Sequence, residues 1–146
     1  MYEFQKISIR GRMAYLVCSF KKLLIYYNCD IADWNIILDK LWKYTSVEFV
    51  DDWMYEMAEY LPNSIMEDEY KDVEYITEEE FFICKRLYSN VADDIKDMLQ
   101  IIFELGTCEI YGKLINNSVN TLEKLNEGLL LLKKNNINPK LFTAEP

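Results

Sequence analysis

From Ile9 to Leu132 apolar residues return at every third or fourth position, and little interrupts them. That spacing lays a stripe along one side of an α-helix, whereas a strand would need alternation. Only four Gly and three Pro occur in 146 residues, too few for a turn-rich β protein. Half of the residues are hydrophobic, ample for one packed interior at this length. The pattern therefore predicts an all-α, single-domain bundle of five to seven helices over residues 1–146, with no repeat and no linker.

The helices are placed by their stripes and caps. Met1 to Ile7 read as a short extended lead-in. Ile9, Met13, Leu16, Val17, Phe20, Leu23, Leu24 and Tyr27 predict a first helix from Ile9 to about Asn28, with Arg12, Ser19 and Lys22 on the opposite face. Gly11 in its first turn either costs stability or marks a close backbone approach. Asp30 or Asp33 caps a second helix, Ile31 to Tyr44. It buries Trp34, Ile37, Leu38 and Leu41 and turns Asp33, Asp39, Lys40 and Lys43 outward. Ser46 caps a third, which Pro62 ends at Leu61. Residues 62–76 form a loop with one helical turn, mobile because its charges repel. Thr77-Glu78-Glu79-Glu80 is a capping box opening the next helix.

From Phe81 through Cys84, Tyr88, Val91, Ile95, Met98 and Ile102 to Leu105 the register is unbroken. It favours one long helix closed by Gly106, with Ser89-Asn90 as a kink or a second start. A short helix is expected around Cys108 to Leu114. Ser118 or Asn120 starts the last helix, with Leu122, Leu125, Leu129 and Leu132 as its seam. Lys133, Lys134 and Asn135-Asn136 end it, before a frayed tail from Asn138-Pro139.

Charge is distributed unevenly. The stretch from Glu48 to Glu80 holds thirteen acids against one base, Lys71, a net charge of −12, while the whole chain carries −9. Such a block makes a directed field that attracts a basic partner. On the third helix Glu48, Asp51, Asp52, Glu56 and Glu59 share one arc opposite Val50, Trp53, Met54 and Met57. Tyr55 lies among these carboxylates, as an interface anchor would. Glu67, Asp68, Glu69, Asp72 and Glu74 follow, interleaved with Tyr70 and Tyr75. Glu78, Glu79 and Glu80 are accounted for by the cap and the helix dipole.

Several chemistries are poorly served. The chain has no histidine, hence neither the commonest general base nor the usual zinc ligand. Cys18, Cys29, Cys84 and Cys108 are scattered without C-x-x-C spacing, which suits reduced cytoplasmic thiols. No glycine-rich phosphate loop, G-x-S-x-G or H-E-x-x-H motif occurs. The apolar run Met13 to Tyr27 is interrupted by Lys21 and Lys22, so it reads as amphipathic rather than membrane-spanning, and no secretory signal precedes it. A pI near 4.6 disfavours direct nucleic-acid binding. These features predict a cytoplasmic binding protein that is not an enzyme and holds no cofactor or metal.

Two motifs carry resemblances. Glu56-x-x-Glu59 followed by Glu69-x-x-Asp72 resembles the Mg²⁺-binding acids of all-helical nucleotide pyrophosphohydrolases, although Tyr55 stands where that family has a further Glu and Pro62 breaks the connection. The opening Phe4-Gln5-Lys6-Ile7-Ser8-Ile9-x-Gly11-x-x-x-x-Leu16-x-Cys18, with Asp33-Trp34-Asn35 and Leu38-x-x-Leu41-Trp42-x-Tyr44-Thr45, resembles small acidic all-helical immunity proteins of bacterial polymorphic toxin systems, including contact-dependent growth inhibition. This second resemblance covers about the first sixty residues and transfers no individual contact residue. It implies a cytosolic antidote bound 1:1 to the C-terminal domain of a cognate toxin, often a basic nuclease. Read with the charge block, the toxin-facing residues are then Asp51, Asp52, Tyr55, Glu56, Glu59, Glu67, Asp68, Glu69, Tyr70, Asp72 and Glu74. The alternatives are the hydrolase and an acidic mimic of nucleic acid that titrates some other basic protein.

Overall fold

The computed structural model describes residues 7–67, 69–70, 73–108 and 119–137. Among these, seven α-helices occur and no strand: α1 (Ile9–Tyr26), α2 (Asn35–Lys43), α3 (Val50–Ala58), α4 (Pro62–Glu67), α5 (Glu78–Ser89), α6 (Asp93–Thr107) and α7 (Val119–Lys134). A 3-10 turn, Ile31–Trp34, leads into α2. The lead-in before Ile7, the short helix expected beyond Cys108 and the tail from Asn138 lie outside the described residues.

The centre is a three-helix unit of α1, α6 and α7. Its directions follow from its polar clips. Lys134 at the end of α7 pairs at 3.0 Å with Asp94 at the start of α6, and Lys124 near the start of α7 pairs at 2.8 Å with Glu104 near the end of α6. The two helices therefore run antiparallel. Tyr27, just past α1, donates to Asp94 at 3.0 Å, so α1 also opposes α6 and runs with α7. One continuous core joins the three, with Met13, Leu16 and Phe20 meeting Met98, Ile102, Leu125 and Leu132.

Central placement explains two departures from the sequence reading. Arg12 and Ser19 are fully buried, not on a solvent face, because α1 is covered on more than one side. Ser19 is satisfied within the helix by the Tyr15 carbonyl at 2.9 Å, and Arg12 Nη1 donates to Thr121 Oγ1 at 2.6 Å. At Gly11 the close neighbour is a side chain rather than backbone: a Cβ there would stand 2.6 Å from Ile7 Cγ2.

The remaining helices wrap this unit. Asp30, rather than Asp33, caps the 3-10 turn by accepting from the Ala32 N–H at 3.0 Å. Arg10 reaches from α1 to the carbonyls of Tyr44 and Val47, both at 2.8 Å, tying down the orphan acceptors that follow α2. Ser46 does not cap α3, which begins only at Val50, with Phe49 at the cap position and no side-chain bond there. It ends at Ala58, and Pro62 instead opens α4 from the first helical position, where its missing N–H is harmless. Trp53 fixes α3 between its neighbours: its indole N–H donates to the Lys40 carbonyl at 2.8 Å, and its ring stacks on Phe103 of α6.

The unbroken register from Phe81 to Leu105 is two helices, not one. Asn90 leaves helical geometry at φ −129° and ψ 35°, and Ala92 is extended. Asp93 and Asp94 then sit in the first turn of α6, favoured by its dipole. Gly106 is not a left-handed terminator; it lies inside α6, against Trp53. Left-handed ends are supplied by Asn28 (φ 62°) and Asn136 (φ 60°). At each, paired backbone bonds, such as Cys29 N–H to the Leu24 carbonyl and Ile137 N–H to the Leu132 carbonyl, close the helix in a Schellman pattern.

Candidate protein-binding face

The acids of the 48–80 block divide by what they touch. Glu56, expected to face a partner, is held inside the protein by Lys40 and, at 3.4 Å, by Lys43. Partial burial would raise its carboxyl, but the two ammonium groups outweigh that and hold it below the usual range. Lys40 shows the reciprocal effect, raised by Glu56 against its own desolvation. Its Nζ also lies 5.1 Å from the centre of the Tyr60 ring. The Tyr60 hydroxyl in turn donates to Glu80 at 2.8 Å. Glu80 closes the Thr77 capping box as the sequence predicts, its carboxyl held low by that hydroxyl and by Thr77 against the raising effect of burial. A continuous polar chain thus runs from Lys43 through Glu56, Lys40 and Tyr60 to Glu80, fastening α2, α3 and α5 together.

Glu59 is likewise spoken for. It stands at the C-cap of α3, where the helix dipole disfavours an anion. Its carboxylate accepts three consecutive backbone N–H groups, from Glu74 at 2.8 Å, Tyr75 at 2.6 Å and Ile76 at 3.0 Å. This lays residues 74–76 across the end of α3 and brings Tyr75 up to the helix. Burial first, then the carboxylates of Glu74, Asp52 and Glu59 and the nearby Tyr55, raise the Tyr75 phenol. Tyr55 lies one turn back from Glu59 on the same side of α3, so Tyr75 is held at the end of that face.

Asp51, Asp52 and Tyr55 point outward from α3, as expected, with Tyr55 52% exposed. Asp51 and Asp52 also occupy the first turn of the helix, where the dipole accommodates them. Glu74 and Tyr75 are exposed beside them, Tyr75 at 48%. Glu67 and Glu69 are exposed further along, and Tyr70 rests edge-on against Phe81 of α5 at 5.9 Å. Asp68 and Asp72 lie outside the described residues. Asp51, Asp52 and Tyr55 are thus exposed on α3, Glu74 and Tyr75 are exposed on the segment tied to its end, and Glu56 and Glu59 are set to internal work.

Phe49 was not singled out by sequence reasoning, yet it is 58% exposed at the start of the acidic helix. Spacing gave no signal for it: Phe49 stands four positions before Trp53, in register with the Trp53 and Met57 stripe, but lies at the cap position in extended geometry and so leaves the helical face. Of the nine large hydrophobics exposed among the described residues, six (Phe49, Tyr55, Met66, Tyr70, Tyr75 and Phe82) fall within 49–82, so apolar exposure is concentrated in or beside the acid-rich stretch.

The spacing read as a metal motif is used otherwise. Glu56 is occupied by lysines and Glu59 by backbone N–H groups, so the two carboxylates do not turn toward a shared cation. Among the described residues no group of three Cys, Asp or Glu could hold a metal ion. A groove of about 500 Å³ between α6 and α7, lined by Ile101, Leu130 and Leu131 with Asp97, Glu127 and Lys134 at its edges, lies on other elements than the acidic block. Cys18, Cys29 and Cys84 carry free thiols, and burial pushes the Cys84 thiol up to about 12. Among the described residues no helix is long and apolar enough to cross a membrane. No protein-family model, curated protein or solved structure matches the chain.

Proposed function

We propose that this protein is an antidote: it binds a cognate secreted toxin domain, of the basic nuclease class, and neutralises it through the face formed by α3 and residues 74–75. The observation that carries the reading is the exposure of Tyr55 on α3 and of Tyr75 on the segment that Glu59 holds to its end, with Asp51, Asp52 and Glu74 exposed in the same two segments. Massing like charge and leaving aromatic rings in water both cost stability, and neither is needed to close the core. A protein-binding surface gives both a use. Carboxylates speed the encounter with a basic partner, and rigid aromatic anchors slow its escape. The N-terminal resemblance to immunity proteins supports the same reading. Cytoplasmic in the producing cell, the antidote would form a 1:1 complex, since the described residues present one such face.

The test is direct. A toxin domain encoded beside this chain is expressed with it, and association is followed at low and high salt. Reversing Asp51, Asp52 and Glu74 to lysine should slow association by about tenfold or more and abolish protection from growth arrest, with the deficit shrinking as salt rises. Undiminished protection by the triple variant would overturn the reading. Pyrophosphate release from nucleoside triphosphates with Mg²⁺ would replace it with the hydrolase.

A further inference from the structure

We infer that Glu59 is a latch: its carboxylate holds residues 74–76 against the end of α3 and so fixes Tyr75 there before any partner arrives. The inference deepens the antidote reading, because it assigns the aromatic half of the proposed face to a residue that the face does not expose to a partner.

The geometry is specific. Three successive amide N–H groups, from residues 15 to 17 positions further on, converge within 2.6–3.0 Å of one side chain. Successive N–H groups of this kind make a concavity that suits an anion, and bonds to an ionised carboxylate are stronger than those between neutral groups. The strap's other anchorage is apolar: Ile76 joins the core and Val73 packs against it. Ile76 is buried and Val73 is half-buried, while Glu74 and Tyr75 are exposed. Without the carboxylate, the N–H groups of Glu74, Tyr75 and Ile76 lose the acceptor that ties them to α3. Latched, the strap needs no ordering when a partner binds, which preserves affinity.

Amide hydrogen exchange on the free protein tests this. Glu59→Gln keeps the shape but replaces one acceptor oxygen with an NH₂ that opposes the strap's own donors. Exchange at Glu74, Tyr75 and Ile76 should quicken by about tenfold or more, while α1 and α6 amides keep their protection. Glu59→Asp keeps the charge on a shorter arm and should fall between the two, which guards against a Gln variant that does not fold. Asp97→Asn, an equal loss of charge at an exposed position of α6, should leave the strap unchanged. Unaltered exchange at 74–76 in Glu59→Gln, or a uniform rise across all helices, would overturn the latch. Because no partner takes part, the antidote reading and the latch stand or fall separately. A quickened strap in a protein that protects against no toxin would retain the latch and reject the antidote.

Discussion

Gly106 and Gly128 both stand inside helices, yet they answer to different neighbours. A Cβ on Gly106 would lie 2.7 Å from Trp53 Cζ3 and 3.0 Å from Cη2, both on a rigid ring fixed by its own hydrogen bond and by Phe103. A Cβ on Gly128 would meet Leu16 Cδ2 at 2.5 Å, the free end of a side chain that can rotate. Alanine gains about 1 kcal/mol of helix propensity at either site. Overpacking against the indole costs about 1–3 kcal/mol. Gly106→Ala should therefore be destabilising overall, and Gly128→Ala should lie within about 1 kcal/mol of wild type. Urea unfolding midpoints at unchanged slope would show it, and equal costs would contradict the reading of the Trp53 contact. Gly106 was misread as a helix stop because its close neighbour is 53 positions back in the chain. Arg12 was placed in solvent for a similar reason: periodicity tells which face is most apolar, but not that a central helix has no free face.

At the scale of elements, the stripes of α1, α2 and α7 and the capping box of α5 were legible because each depends on residues a few positions apart. What was missed depends on distance or on competition. The apolar register continues across Asn90 to Ala92 although the backbone does not, since Ser89-Asn90 favours a break and Asp93-Asp94 favours a fresh N-terminus. The acidic face was legible as a charge pattern, but the recruitment of Glu56 and Glu59 was not, since their partners lie 13 to 17 positions away. The Glu56 pairing with Lys40 makes a prediction about how α2 is held to α3. Both side chains are partly shielded, at 28% and 19% exposure, so the pair should exceed a surface salt bridge without reaching the worth of a buried one. A double-mutant cycle with Lys40→Met and Glu56→Gln should give a coupling of about 1 kcal/mol. A coupling indistinguishable from zero would show that Trp53 and the core alone join the two helices.

For the whole molecule, ionisation sets limits at both ends of the pH scale. Asp94 is held low first by Asn135, and Glu104 first by Lys124; Glu56 and Glu80 are held low by their partners despite burial. A carboxyl whose folded pKa is depressed contributes stability above its unfolded value, about 4, and loses it as pH falls through the folded value. At the other end, burial raises Tyr44 to about 12 and raises Tyr60 and Tyr88 as well. Their unfolded counterparts ionise near pH 10, so that contribution is present below about pH 10 and is lost as pH rises beyond it. Repulsion within the 48–80 block opposes the acid loss, because protonating crowded acids relieves it. The two acid-side effects separate by salt: repulsion among exposed carboxylates is screened, whereas the shielded pairs are screened much less. Stability should thus be flat from about pH 5 to 9, fall on either side, and at pH 7 rise when salt is raised from about 0.01 M to 1 M. Urea midpoints across that grid would measure it. Stability that climbed as pH fell through 4 would mean that repulsion in the acidic block outweighs every internal tie made by Glu56, Glu80, Asp94 and Glu104, leaving that block as the dominant electrostatic strain in the fold.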